Sequence, residues 1–221
     1  MSFELYKPIV NLVWATPKGD ELIGEMARVS IIDNKDKPIE PLIKYLEEHK
    51  HNSPFEMVNM CVELFAPRDI TRQILRHRSF SFQEFSGRYA EYPDSSFVLR
   101  EPRLQHQSNR QMSITMNLDY DDHCKTYTQF LSQQTAFINI ARASYKEAIR
   151  DGIAKEQARC LLPEGNLLSR MYMNGSVRSW VHYLQIRSDK SSVQKEHALI
   201  AEAILGVFKE QFPTTYSAFF E

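Results

Sequence analysis

Residues 57–65, "MVNMCVELF", alternate strictly. Val58, Met60, Val62 and Leu64 point one way, and Asn59, Cys61 and Glu63 the other, which predicts a strand with one buried face. Residues 5–14, "LYKPIVNLVW", also read as a strand. Apolar positions recur at helical spacing over Asp20 to Val29 and again over "PIEPLIKYLEEHK", whose prolines fall near the start, where a helix tolerates them. Pro67 ends the alternating strand and opens a predicted helix, "PRDITRQILRHR", with Ile70 and Ile74 on one face.

Residues 93–118 show neither period and read as an irregular, polar stretch. A long helical pattern then runs from Asp119 to about Arg150. "AKEQARCLLP" predicts a short helix stopped by Pro163, and a further helix spans Ser176 to Arg187. The last helix is expected to start from a cap at Ser191, with Gln194 three residues on, and to end near Pro213. Strands early and helices late predict an α+β fold with a helix-rich C-terminal half. With 221 residues, 43% of them hydrophobic, and no internal repeat, the chain is expected to form one compact domain over 1–221.

Composition narrows the chemistry. The net charge is −1 and the sequence pI about 6.7, whereas a duplex-binding domain is usually basic as a whole. Cys61, Cys124 and Cys160 are odd in number and far apart, which argues against a disulfide framework or a zinc site and predicts a cytoplasmic protein. No apolar run approaches membrane-spanning length. Seven glycines form neither GxGxxG nor GxxxxGK[ST], so any nucleotide phosphate must be met by arginines, hydroxyls and helix N-termini.

Positive charge is concentrated in "RHRSFSFQEFSGRY", Arg76 to Tyr89. A helix C-terminus tolerates cations, which accounts for part of the cluster but not for Arg88 ten residues further on. The stretch offers Arg76, Arg78 and Arg88 with Ser81 and Ser86 to an anion. A second candidate is "NGSVRSWVHYLQIR", Asn174 to Arg187. At about 100° per residue, Arg178 and His182 share one helix face, and Trp180, Tyr183 and Arg187 lie nearly opposite. The competing reading is an ordinary amphipathic helix packed through Val177, Val181 and Leu184. Arg159 is an isolated cation beside apolar neighbours. His49 and His51 beside Glu47 and Glu48 read as a solvated helix end rather than a metal site. Cys61 and Cys160 sit by no obvious base and read as small core residues.

The spaced positions Arg76, His77, Arg78, Ser81, Glu84, Ser86, Arg88 and Tyr89 fill every fixed place of RHRxxSxxExSxRY, the signature of the flavin-dependent thymidylate synthases. The chain resembles that family further in "ARVS" (27–30), "HNSPFE" (51–56), "ARCLLP" (158–163) and "GSVRSWVHYLQIR" (175–187), in that order. The resemblance implies a small antiparallel-type sheet packed by helices and a homotetramer with sites at subunit interfaces. It implies synthesis of dTMP from dUMP, with 5,10-methylenetetrahydrofolate as carbon donor and NADPH reducing a bound FAD. It places Ser30, Ser53, Arg76, His77, Arg78, Glu84, Ser176, Val177, Arg178 and His182 at FAD. It places Gln73, Ile74, Leu75, Arg76, Glu84, Phe85, Ser86, Gly87, Arg88, Arg159 and Arg187 at dUMP. Gln83, His182 and Ser176 depart from the pattern, since many relatives carry asparagine there.

On this reading Arg187 meets the uracil edge, where its permanent charge favours the electron-rich, N3-deprotonated ring. Ser86 polarises or positions the base. Nucleophilic attack by Ser86 ranks lower because no base is visible. Two other classes stay open: a nucleic-acid module in which Phe80, Phe82, Phe85 and Tyr89 stack bases, and a structural oligomer in which the motif seals an interface.

Overall fold

The structure, a computed structural model, describes residues 3–30, 37–189 and 191–221. Helix and strand are mixed, as expected. The elements run β1 (Ile9–Ala15), α1 (Gly19–Ala27), α2 (Glu40–Glu48), β2 (Asn59–Pro67), α3 (Arg68–Ile74), β3 (Ser81–Glu84), β4 (Arg103–Gln105) and β5 (Ser113–Thr115). They continue with α4 (Asp121–Arg150), α5 (Lys155–Ala158), β6 (Leu168–Ser176), α6 (Val177–Arg187), α7 (Lys195–Gln211) and α8 (Pro213–Phe220). A four-stranded sheet has the order β1-β2-β6-β3, and β4 pairs antiparallel with β5.

The chain clusters into two compact units. One comprises residues 1–8, 65–74 and 84–171, and the other residues 9–64, 75–83 and 172–221. In the first unit, Tyr92, Phe97, Leu99, Ile138, Tyr145, Ala158, Leu162 and Leu167 form a buried cluster. Gln134 of α4 is buried there with both of its amide atoms hydrogen-bonded. It exchanges hydrogen bonds with the Arg100 backbone at 2.8 and 2.9 Å and accepts from Asn166 Nδ2 at 2.7 Å.

In the second unit the alternation of β2 places Val58, Met60, Val62 and Leu64 in the core, all fully buried. Trp180 and Tyr183 of α6 are also fully buried, and each aromatic body contributes about 2–3 kcal/mol by leaving water. The Trp180 indole is satisfied by the Met60 carbonyl at 2.9 Å. Gly175 lets strand β6 approach the aromatic cluster. A Cβ there would lie 2.5 Å from the Phe80 ring.

Several expectations are corrected. The helix expected over 67–78 ends at Ile74, and Ser81–Glu84, read as loop, is strand β3. The stretch 93–118 contains the β4–β5 hairpin and buries Phe97, Val98, Leu99 and Met116. Strand β6 and helix α8 carry no clean period and were not expected. Helix α7 starts after Gln194, whose side chain makes no capping hydrogen bond, and the Ser191 hydroxyl donates to Asp189 Oδ1 at 2.6 Å. Cys160 is exposed rather than packed on an apolar face; Cys61 is buried as expected.

Candidate functional site

The second unit carries one set of the signature residues. After α3 the chain turns through Leu75, Arg76, His77 and Arg78 before entering β3. Arg76 and Arg78 are exposed and make no hydrogen bond or ion pair with a described residue. His77 is half-buried against the Tyr183 ring, edge-on at 4.9 Å, and its Nε2 accepts from Arg187 Nε at 3.0 Å. A guanidinium only donates, so Nε2 carries no proton and His77 is neutral. Burial, and then the adjacent Arg187, push the His77 pKa down to about 4.

Helix α6 presents the rest of this set. Ser176 is its N-cap and accepts from Ser179 N at 3.3 Å. Val177 is fully buried and donates its N–H to the Val58 carbonyl at 2.8 Å. Arg178 and His182 are exposed one turn apart, on the shared face the sequence predicts. They line a cavity of about 520 Å³ together with Lys50, Phe55, Glu56 and Ser79. Arg178 is paired with Glu56 at 2.8 Å. Arg187 lies beyond the other side of the helix with His77, and Val181 and Leu184 are buried between. Both readings of this helix therefore hold: its apolar positions pack, and its polar faces differ. Ser30 and Ser53 are exposed, and neither lines that cavity.

The first unit carries the other set. Gln73 and Ile74 close α3, with Ile74 fully buried. Glu84 ends β3, and its Oε1 accepts from Ser169 Oγ at 2.7 Å and Thr71 Oγ1 at 3.1 Å. Phe85 rests tilted on Tyr92 at 4.9 Å. Ser86 opens a tight turn, its carbonyl accepting from Tyr89 N at 3.1 Å and Ala90 N at 3.2 Å. Gly87 sits against Tyr92, where a Cβ would meet the ring at 2.6 Å. Ser86 Oγ is partnered by Arg88 N at 3.4 Å, and no base is hydrogen-bonded to it among the described residues.

Arg88 is exposed, 3.6 Å from Glu156. Arg159 lines a second cavity, of about 550 Å³, with Arg68, Arg72, Tyr92 and Glu164. Arg72 pairs with Glu164 at 2.9 Å, and Arg68 with Glu164 at 3.6 Å and with the Tyr92 hydroxyl. Burial raises the pKa of that phenol. Sequence reasoning missed Arg68, Arg72, Tyr92 and Glu56. Arg68 and Arg72 stand one turn apart on α3, and Glu56 closes "HNSPFE", so spacing and motif held the signal for these three.

No group of three or more metal-ligating side chains is arranged to hold an ion among the described residues. Among the described residues no helix is long and apolar enough to cross a membrane. The donor set fits part of a flavin nucleotide. The cavity walls combine Phe55 and Phe219 with the Ser79 and Ser179 hydroxyls, the cations Lys50 and Arg178, and the carboxylates Glu47 and Glu56, and Arg76 and Arg78 have no acidic partner among the described residues.

The family model "Thymidylate synthase complementing protein" matches residues 11–214. A flavin-dependent thymidylate synthase of Synechocystis sp. is 42% identical over 203 residues, covering 92% of this chain and 89% of that protein. The chain belongs to the flavin-dependent thymidylate synthase family. Similarity to a probable flavin-dependent thymidylate synthase of Paramecium bursaria Chlorella virus 1 extends over 99% of the chain and 98% of that protein, at 36% identity. The fold is similar to that of the UMP/dUMP methylase PolB from Streptomyces cacaoi, solved with 5-Br dUMP. The TM-score is 0.83 at 28% identity, with 98% of this chain and 97% of that one covered. As a member of this family the protein is an enzyme, a methyltransferase of thymidylate synthesis.

Proposed function

We propose that the protein converts dUMP to dTMP with bound FAD, taking the carbon from 5,10-methylenetetrahydrofolate and reducing power from NADPH, in a homotetramer with its sites where protomers meet. The observation that carries this reading is the uneven pairing of the arginines. Arg72 and Arg178 lie within 2.9 Å of a carboxylate, whereas Arg76, Arg78 and Arg187 have no acidic partner among the described residues. Guanidinium groups left without counter-charge on a near-neutral protein suit small anionic ligands.

FAD would be held by Ser30, Ser53, Arg76, His77, Arg78, Glu84, Ser176, Val177, Arg178 and His182. When bound, it supplies the hydride that completes the methyl group. For dUMP, Arg88, Arg159 and the turn at Ser86 and Gly87 would hold the phosphate. Gln73, Ile74, Leu75, Arg76, Glu84 and Phe85 would complete its contacts.

Arg187 would meet the pyrimidine. Its Nε is committed to His77, which leaves the terminal nitrogens to face a carbonyl oxygen or a deprotonated ring nitrogen. A fixed positive charge there stabilises the anionic ring, which is the better carbon nucleophile. Ser86 would position the base. The geometry offers it no proton acceptor, so attack by its hydroxyl is the weaker reading.

The test is to purify the protein, record its visible spectrum, and add NADPH without oxygen. Bleaching of a flavin band, followed by its return with dTMP formation when dUMP and methylenetetrahydrofolate are added, is expected. A colourless protein after reconstitution with FAD, inert toward dUMP, refutes the proposal.

A further inference from the structure

The hydrogen bonds around the start of α6 form a path that ends on the arginine motif. Glu56 uses both carboxylate oxygens: Oε1 accepts from Arg178 Nη1 at 2.8 Å, and Oε2 accepts from Ser176 Oγ at 2.5 Å. The Ser176 proton is committed to that carboxylate, so its oxygen is free to cap Ser179 N at 3.3 Å. Ser179 Oγ lies 3.2 Å from Ser176 Oγ and donates to the Ser79 carbonyl at 3.4 Å. Ser79 directly follows Arg78. Ser176 and Ser179 are nearly buried, and Glu56, Ser79, Arg178 and Ser179 all line the cavity of about 520 Å³.

The exposure of the ion pair shows what it is not for. The Arg178 and Glu56 side chains are 53% and 42% exposed, and a pair so placed contributes at most about 1 kcal/mol to stability. Glu56 also sets a negative charge on the wall of a cavity assigned to an anionic cofactor, which by itself opposes binding. Its two-sided grip on Arg178 and on the cap of α6 is the arrangement that offsets this cost. The hydrogen bond from Ser176, and then the one from Arg178, outweigh burial and hold the Glu56 carboxyl below the usual carboxylate range, so it stays ionised as an acceptor.

We propose that Glu56 is a positioning residue of the flavin site: it aims Arg178, and through Ser176 and Ser179 it seats the backbone of the Arg76–Arg78 turn. The inference rests on the reading that Arg178 faces FAD. It makes a prediction opposite in sign to simple electrostatics. Removing the charge of Glu56 should tighten the hold on an anionic cofactor if charge alone matters, and weaken it if positioning does.

The experiment strips flavin from the full-length protein and titrates FAD back, following flavin fluorescence. Glu56→Gln is expected to weaken FAD about tenfold, and Ser176→Ala severalfold. Arg178→Ala should also weaken it, and the double variant Glu56→Gln/Arg178→Ala should lose less than the product of the two single losses, because both act through one contact. Unchanged or tighter binding in Glu56→Gln, with Arg178→Ala weakened, overturns the positioning role and leaves the flavin reading standing. Unchanged binding in Arg178→Ala overturns the flavin reading of that face and the proposal with it. Should Glu56→Gln fail to fold, Ser176→Ala decides: wild-type affinity there also overturns the proposal.

Discussion

Glu84 sits in the signature motif, yet in the free protein its carboxylate has a structural task whose size can be worked out. Oε1 accepts from two hydroxyls, Ser169 Oγ at 2.7 Å and Thr71 Oγ1 at 3.1 Å, both on fully buried residues. The two are not equally dependent on it. Thr71 also reaches the Arg68 carbonyl at 2.9 Å, so losing Glu84 costs it little. Ser169 Oγ has no such fallback among the described residues. A buried hydroxyl left without a partner costs about 1–3 kcal/mol, and a hydrogen bond to a charged group contributes about 1.5–3 kcal/mol. Glu84→Ala should therefore destabilise the protein by about 2–3 kcal/mol, and Glu84→Gln, which keeps a neutral acceptor, by about 1 kcal/mol. Urea unfolding of ligand-free protein at one fixed concentration measures both. Adding Ser169→Ala to Glu84→Ala should recover part of the loss, because the stranded hydroxyl is then gone. An alanine variant within about 0.5 kcal/mol of wild type, or a glutamine variant as damaging as alanine, refutes the reasoning.

Three further outcomes follow from other contacts. Gly87→Ala drives a Cβ to 2.6 Å from the Tyr92 ring, so the turn carrying Ser86 and Arg88 must shift; dUMP affinity by calorimetry should fall at least about tenfold. His197 is fully buried beside the Tyr183 hydroxyl, and burial, then Arg187, push its pKa down to about 3. Its folded pKa lies below its unfolded one, so it favours the folded state above about pH 6.5, and that contribution is lost as pH falls toward the folded value. The urea midpoint should drop between about pH 6.5 and 5, less steeply in His197→Gln. Turnover in Cys61→Ala, Cys124→Ala and Cys160→Ala should each stay within about threefold of wild type, since no step assigned here uses a sulfur nucleophile.

Local pattern told most where one physical signal dominated. The alternation of β2 gave Met60, Val62 and Leu64 as its buried face, although Cys61 on the opposite face is buried too. Proline at the start of α2 and a serine cap before α6 are local chemistry that tertiary packing did not override. The two-faced character of α6 was also legible, since 100° per residue separates Arg178 from Arg187 whatever surrounds them. Strand β6 was not, because Ser169 takes an inward position and Leu168 and Tyr172 outward ones, which hides its period, and its pairing with β2 and β3 depends on residues about 100 positions away. The helix after Pro67 was read too long. Arg76 to Arg78 look helical by propensity, but the chain must turn there to let Phe80 pack on Trp180 at 4.6 Å. The signature named the charged site residues, while Tyr92, which packs on Phe85 and meets Arg68, became visible only once the fold placed it.

The central claim is that a guanidinium held by a neutral histidine activates the pyrimidine. Its most direct measurement is the single-turnover rate of dTMP formation in Arg187→Ala, with reduced enzyme mixed against saturating dUMP and methylenetetrahydrofolate. The account predicts a rate at least about 100-fold below wild type, a loss of about 2.7 kcal/mol, with dUMP affinity changed less than about tenfold. A near-normal rate in that variant would contradict it.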